Sequence, residues 1–257
     1  MLTRVISVTV CYYRTRTSYT VTSNTSPILG TYQTSGIVTD GLVLNLDAGN
    51  TNSYPSPFNS TSWTDLSGNN NHGTLNGGVG YTSANGGVLV FDGADDYVSV
   101  LTGILPKANS IKTISFWCQG INSSRYFATI STRFLNSYGY LIVIDYNSGG
   151  RIQYSHTGMG DYVVRPSLAI LNYYYVTIST DVNGTGIIIY LNGIMQTPTS
   201  NTIVTAVNEQ DGGYTTIGQQ GGSFSNGYIS NVTFYNRALS SAEITQNFNA
   251  LRGRYGI

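Results

Sequence analysis

Apolar residues along most of this chain alternate with polar ones, the period-two pattern of a strand with one face in a core. In "KTISFWCQG", Ile114, Phe116 and Cys118 alternate with Thr113, Ser115 and Trp117. Short runs of the same kind recur: "GLVLNLDAG" from Gly41, "GGVLVFDGADDYVSV" from Gly86, "YLIVIDY" from Tyr140, "RIQYSH" from Arg151, "YYYVTIST" from Tyr173 and "GYISNVTFY" from Gly227. "NSGG" at 147–150 is a turn sequence, and Asn192-Gly193 sits between two apolar runs, the strongest short-range hairpin signal. Many short strands joined by Gly and Asn turns predict an antiparallel sandwich or barrel. No strands alternate with long helices, which excludes a parallel α/β fold.

The period changes once, in "YNRALSSAEITQNFNALRGRYG" at 235–256. Ile244, Phe248 and Leu251 recur at spacings of four and three and form one apolar stripe. Ser240 and Glu243 make a capping box, and Gly253 is placed to end the helix in the left-handed conformation. A single short helix must lie on something larger. Its expected seat is the rim of the sandwich, over one end of the core.

Residues 1–38 form a Thr-rich arm ahead of the first sandwich strand. Ile6, Val8, Val10 and Tyr12 alternate with Ser7, Thr9 and Cys11, and a second run spans Tyr13–Val21. Two strands are too few to bury a core of their own, so the arm is expected to dock on a partner, with residues 39–257 as the domain. Its charges are Arg4, Arg14 and Arg16, with no acid before Asp40, which suits an acidic partner surface. It has neither the apolar core nor the small-residue cleavage site of a signal peptide. No run in the chain approaches the ~18 apolar residues of a membrane span.

Charged residues are 9% of the chain, with formal net charge zero and 21 Tyr. That balance argues against disorder and against a nucleic-acid-binding stripe. Cys11 and Cys118 are too few for a disulfide framework and suit small apolar fillers. The sequons at Asn24, Asn59, Asn122, Asn183 and Asn231 are no more than an Asn-, Ser- and Thr-rich chain produces by chance.

Six motifs then occur in order: "DLSGNNNHGTL" (65–75), "FDGADDYVSV" (91–100), "TISFWCQ" (113–119), "GIIIYLNGIMQ" (186–196), "TTIG" (215–218) and "NGYISNVTFYNRALSSAEI" (226–244). Together they resemble the laminin-G-like, concanavalin A-like jelly-roll domains over residues 40–252. The opening "GLVLNLDAGNTNSYP" and the ending "NFNALRGRYGI" look like the form seen in tailed-phage structural proteins. The resemblance implies an all-β fold of two antiparallel sheets packed face to face, one short C-terminal helix and an N-terminal β-rich arm. It also implies carbohydrate or protein binding, often with calcium. Two positions depart from the family pattern. Ser230-Asn231 stands where an acidic pair is common, and Asn172–Tyr175 replaces a W-H-H stretch.

Glycoside hydrolysis needs two carboxylates about 5–9.5 Å apart, which hydrolase relatives present as an E-x-D-x-E-like set on one strand. The only Glu here are Glu209, in a polar loop, and Glu243, in the capping box, so an enzyme is not expected. Asp92, Asp95 and Asp96 are the densest acidic cluster, with Asp95 and Asp96 as candidate calcium ligands; a turn built on "DGADD" is the favoured reading. Asp47 and Asp65 are weaker candidates. His72 and His156 have no metal or nucleophile motif around them, and a loop hydrogen bond is expected of His72. Trp63, Tyr126, Tyr138 and Tyr162 fall in or near predicted loops and are the candidate glycan or partner surface. Tyr173–Tyr175 is expected to alternate in and out of a sheet.

The function these features favour is a non-enzymatic phage virion surface protein, a capsid decoration or tail fibre component assembled in the host cytoplasm. Many copies would dock on other virion proteins through the arm, and the lectin-like domain would bind glycans. The alternative is a secreted, calcium-dependent lectin or adhesin module.

Overall fold

The computed structural model describes residues 36–55, 59–101, 110–122, 126–132, 139–146, 149–156, 160–180, 186–203 and 214–257. The chain divides into two compact units, Met1–Thr34 and Ser35–Ile257. Arg4, Arg14 and Arg16 of the arm lie outside the described residues, as do Cys11, Tyr138 and Glu209. No described helix is long and apolar enough to cross a membrane.

The second unit is a two-sheet antiparallel sandwich, its strands numbered β1 to β19 in chain order. One sheet runs β14 (Ile194–Met195), β13 (Ile188–Leu191), β12 (Tyr173–Thr180), β7 (Lys112–Gly120), β19 (Asn226–Tyr235), β5 (Val88–Asp92) and β4 (Gly80–Thr82). β1 (Leu42–Asp47) also pairs with β19, along Asn231–Tyr235. The other sheet runs β15 (Ser200–Asn201), β11 (Gly160–Val164), β10 (Arg151–His156), β9 (Tyr140–Asp145), β8 (Ala128–Ser131), β16 (Tyr214–Ile217), β6 (Tyr97–Leu101), β3 (Gly73–Asn76) and β2 (Ser62–Trp63). β17 (Gln219–Gln220) and β18 (Ser223–Phe224) form a separate ribbon.

Alternation sets what each face holds. From β7, Ile114, Phe116 and Cys118 enter the core between the sheets, joined by Tyr174, Val176 and Ile178 of β12 and by Ile142 and Ile144 of β9. Cys118 is a buried free thiol, the apolar filler expected of it. In β19 a register shift between Ile229 and Asn231 changes the parity, so Ile229, Val232 and Phe234 all point inward. Asn192 and Gly193 turn the β13–β14 hairpin with φ of 51° and 78°, the double left-handed geometry of the tight hairpin turn.

The first sheet carries a second core on its outer face. Trp117, Tyr173, Tyr175, Tyr190 and Tyr235 point away from the sandwich and cluster with Val88, Ile244 and Tyr255. The helix α1 (Ser241–Leu251) lies on this layer, with Phe248 and Leu251 packed against it. The expectation that the helix caps the rim is therefore corrected. A sheet with tyrosines and a tryptophan on its outer face has apolar area to cover, worth roughly 1.5–3 kcal/mol per fully buried large side chain, and the helix covers it. Trp117 stacks on Tyr255 at 4.1 Å and on Phe248 at 5.7 Å between ring centroids.

Polar ties hold the helix there. Ser240 Oγ accepts the Glu243 N–H, and Glu243 Oε2 accepts the Ser240 N–H at 2.8 Å, completing the capping box. Arg237 donates to both oxygens of Glu243 (2.6 and 3.1 Å) and to the Asp40 carbonyl. The Arg237 guanidinium, then the Ser240 N–H, hold the Glu243 carboxyl well down, at about 2. Buried Asn247 accepts the Val38 N–H at 2.7 Å and donates to Tyr235 Oη. Val38, at the end of the expected arm, thus packs under the helix, and the units part at 34/35. Gly253 does not end the helix: α1 stops at Leu251, a 3₁₀ turn, Arg252–Tyr255, carries Tyr255 into the aromatic layer, and it is Gly256 that takes the left-handed conformation at φ 70°.

The motif "DLSGNNNHG" is a loop clamped on β1. Asp65 accepts N–H groups from Asn45, Ser67 and Asn71, His72 Nδ1 accepts the Asp65 N–H, and Asn71 donates to the Val43 carbonyl. Asn231 donates to the Leu46 carbonyl, and the Ser230 hydroxyl meets the Tyr255 hydroxyl. Where the family pattern favours an acidic pair, this chain has internal hydrogen bonds.

Candidate functional site

A cleft of about 460 Å³ opens on the outer face of the first sheet, beside the C-terminal turn. Asn85, Gln119, Asn172 and Asn192 give it amides; Tyr173 and Tyr255 give it aromatic rings; Leu171 gives it an apolar lip. Each element contributes for a local reason. Gln119 and Tyr173 alternate outward at the paired ends of β7 and β12. Asn192 is the hairpin turn, and Asn85 is the left-handed residue of a short 3₁₀ turn at Ala84–Gly86.

The described residues include four non-glycine residues at positive φ, and three of them, Asn85, Leu171 and Asn192, line this cleft. Asparagine tolerates that conformation, whereas leucine at φ 67° is strained by ~1–3 kcal/mol. Gln119 holds it by donating from Nε2 to the Leu171 carbonyl, and the Leu171 N–H reaches the Gly120 carbonyl at 3.2 Å. The turn presents an aliphatic side chain to solvent: Leu171 is 61% exposed and Ile170 44%. Asn192 Oδ1 accepts the Tyr175 N–H at 2.9 Å, and Asn85 Nδ2 donates to Tyr173 Oη at 3.2 Å. Burial pushes the Tyr173 hydroxyl up to about 12, with the Asn85 bond opposing, so it stays neutral. Arg254 fixes the wall behind, donating to both oxygens of Asp47 at 2.8 and 3.0 Å.

Of the residues expected to form an exposed surface, Trp63, Tyr126 and Tyr162 do not line this cleft, and Tyr138 lies outside the described residues. Trp63 is 0% exposed, because β2 pairs with β3 and turns its ring into the intersheet core. Tyr162 is 7% exposed; alternation along β11 points it inward with Val164. Both assignments are corrected: strand pairing reaches further than the turn signals beside them suggested. Tyr126 is half-buried, and its carbonyl accepts the Asn226 N–H at 3.0 Å where β19 begins. Tyr173 and Tyr175 point out and Tyr174 in, as the alternation predicts. The sequence showed Asn172 as a family departure and Asn192 as a turn, but carried no signal that Asn85, some hundred residues upstream, joins them.

Asp92, Asp95 and Asp96 bring carboxylate oxygens within 4.8 Å of one another. Asp92 Oδ1 accepts the Ala94 N–H and Asp96 Oδ2 accepts the Asp92 N–H, the pattern of a self-bonded turn. Burial, opposed by that N–H, raises the Asp96 carboxyl, as do the Asp92 and Asp95 charges beside it. A site built for calcium assembles 6–8 oxygens around ionised carboxylates, whereas here Asp92 and Asp96 spend oxygens on N–H groups of their own turn. Chelator is expected to leave the melting temperature unchanged in a thermal scan. A drop of several degrees that added calcium reversed would identify a bound ion.

No curated protein matches the sequence. Among solved structures, the fold is similar to domain 4 of AbnA, a GH43 extracellular arabinanase from Geobacillus stearothermophilus, in complex with arabinotriose. That match has TM-score 0.58 and 14% identity over 80% of this chain and 97% of that one. The Trypanosoma rangeli sialidase in complex with sialic acid matches at TM-score 0.60 and 16% identity, over 83% of this chain and 33% of its own. The receptor binding domain of botulinum neurotoxin C/D mosaic serotype matches at 0.61 and 18%, over 82% and 51%. The chain thus spans about a third of the sialidase and half of the toxin domain, and at these identities the likeness is one of fold. A family model of the concanavalin A-like lectin/glucanases superfamily, Laminin_G_3, matches residues 92–245, more than half of the chain. With the jelly roll, the ordered motifs and this match together, the chain belongs to the Laminin_G_3 family of concanavalin A-like lectin/glucanase domains.

Proposed function

We propose that this chain is a non-enzymatic virion surface protein, a capsid decoration or tail fibre component, whose jelly roll binds glycans through the cleft at Asn172. The observation that carries the binding reading is the lining: amides and aromatic rings converge there with no carboxylate side chain among them. Sugar rings need flat or aliphatic faces and convergent hydrogen-bonding groups. Hydrolysis needs two carboxylates flanking one bond. Here Asp47 is paired with Arg254, Asp145 with Arg151, and Glu243 with Arg237, while Asp65 is held by its loop. The fold is one that domain 4 of an arabinanase, in complex with arabinotriose, also has, which agrees with saccharide binding.

The arm, with three Arg and no acid in its first thirty-eight residues, supports docking on an acidic surface of a particle. Two measurements test the proposal. The full chain should show no hydrolysis across a polysaccharide panel; activity abolished by changing Glu209 or one of the clustered Asp residues would overturn the non-enzymatic reading. A chain lacking residues 1–34 should keep its melting temperature yet be lost from purified particles, as followed by mass spectrometry. A truncated chain still incorporated would place docking on the jelly roll. A full chain absent from particles and exported from the cell would favour the secreted lectin.

A further inference from the structure

We propose that the cleft takes neutral saccharides and rejects acidic ones; this rests on the glycan-binding reading above and specifies its ligand. Three of the lining amides are already held by one end. Asn192 accepts the Tyr175 N–H through Oδ1, which leaves its NH₂ group to donate. Asn85 bonds the Tyr173 hydroxyl with one end of its amide, which leaves the other end to a ligand. Gln119 donates from Nε2 to the Leu171 carbonyl, which leaves its Oε1 to accept. A backbone N–H only donates and a carbonyl only accepts, so the bonds of Asn192 and Gln119 fix which end of each amide is oxygen and which nitrogen before a ligand arrives, whereas Asn85, bonded to a hydroxyl that can donate or accept, can present either end. None of the three remaining groups has a partner among the described residues.

A hydroxyl both donates and accepts, and two or three hydroxyls on one ring can meet the Asn192 donor, the Gln119 acceptor and either end of Asn85 together. A carboxylate only accepts. Against Gln119 it would set oxygen facing oxygen, and it would lose its water to a lining that contains no Lys or Arg. Arg254 reaches the Asn85 carbonyl at 3.5 Å, but its charge is paired with Asp47. The exposed Leu171 side chain gives the C–H face of a neutral ring an apolar edge, and the strained backbone that displays it is held by the same Gln119 amide.

The test is calorimetric titration of the full chain with neutral trisaccharides (arabinotriose, cellotriose and α-1,4-linked galactotriose) and with trigalacturonic acid. The last two differ only in a hydroxymethyl group against a carboxylate on each ring. At least one neutral trisaccharide should bind, and trigalacturonic acid should bind about tenfold more weakly than galactotriose or not at all. Asn192→Asp keeps the oxygen that accepts from Tyr175 and suits the same turn, but deletes the donor; it should weaken neutral binding about tenfold with an unchanged melting temperature. Asn172→Ala, on an exposed side chain, provides a second variant that leaves the turn intact. Trigalacturonic acid bound as tightly as galactotriose would overturn the inference while leaving a glycan-binding protein. Neutral binding untouched by both substitutions would move the site away from the cleft and overturn it too. No saccharide bound at all would overturn both the inference and the reading beneath it.

Discussion

Trp117→Ala should destabilise the jelly roll by ~3–5 kcal/mol, the cost of deleting a large buried aromatic side chain whose surroundings relax only in part. Trp117 is fully buried, on the outer face of the central strand β7. It touches the sheet through Tyr175 at 5.1 Å, the helix through Phe248 and the C-terminal turn through Tyr255. Losing it leaves a hole where three elements meet, so the layer cannot collapse by shifting one of them. For a domain of this size ~1 kcal/mol moves the midpoint by roughly 2–4 °C, so a fall of about 10 °C is expected. Trp117→Phe should cost much less. Its ring still fills most of the space, and it removes an indole N–H that is buried with no partner among the described residues. Urea unfolding followed by far-UV circular dichroism measures both variants. A loss under ~1 kcal/mol for Trp117→Ala would mean that the helix is held by its polar ties alone. Tyr255 and Tyr173 both pack within this layer and line the cleft, so Trp117 fluorescence should also report ligand entry.

Strand placement was legible because alternation is a local signal with a fixed period. Ile114, Phe116 and Cys118 face the core and Trp117 faces out, as the residues themselves imply. The hairpin at Asn192-Gly193 and the capping box at Ser240 were equally legible, since each needs only two residues at a fixed spacing. The role of the outward set was not. A polar-looking face with Tyr, Thr and Ser reads as solvated, and only the docked helix shows that Tyr173, Tyr175 and Tyr235 form a second core. Trp63 and Tyr162 failed for the opposite reason: they stand near turn-forming residues, yet pairing to β3 and β10 carries them inward. The cleft was illegible because its groups come from five separated stretches and its key features, left-handed backbone at Leu171 and the fixed ends of two amides, are properties of tertiary hydrogen bonds. The tyrosine excess suggested exposed binding faces, yet ten tyrosines among the described residues are buried.

That burial makes the fold sensitive to alkali. Tyr173, Tyr175, Tyr235 and Tyr255 all belong to the outer-face layer and are all raised from the ordinary tyrosine value near 10, in each case first by burial. Tyr173 is pushed up to about 12, with hydrogen bonding from Asn85 working against the shift. A raised folded value means that the neutral form is favoured in the native state, so these groups favour folding fully below pH 10. Between pH 10 and 12 the unfolded chain loses phenolic protons that the folded chain retains, and stability falls. Each such tyrosine contributes a slope of ~1.4 kcal/mol per pH unit in that window. Several such groups in one layer lower the stability together as the pH rises above 10, against a typical total of about 5–15 kcal/mol. The expected result is a cooperative loss of β-sheet circular dichroism between pH 11 and 12, with a step in phenolate absorbance at the same pH. Tyr173→Phe should make the pH dependence shallower, because it keeps the ring packed, tilted, 4.7 Å from Tyr255 while removing one ionisable group. Phenolate absorbance complete near pH 10 with the circular dichroism unchanged would mean that the tyrosines titrate in place, and that the layer beneath the helix is open to water.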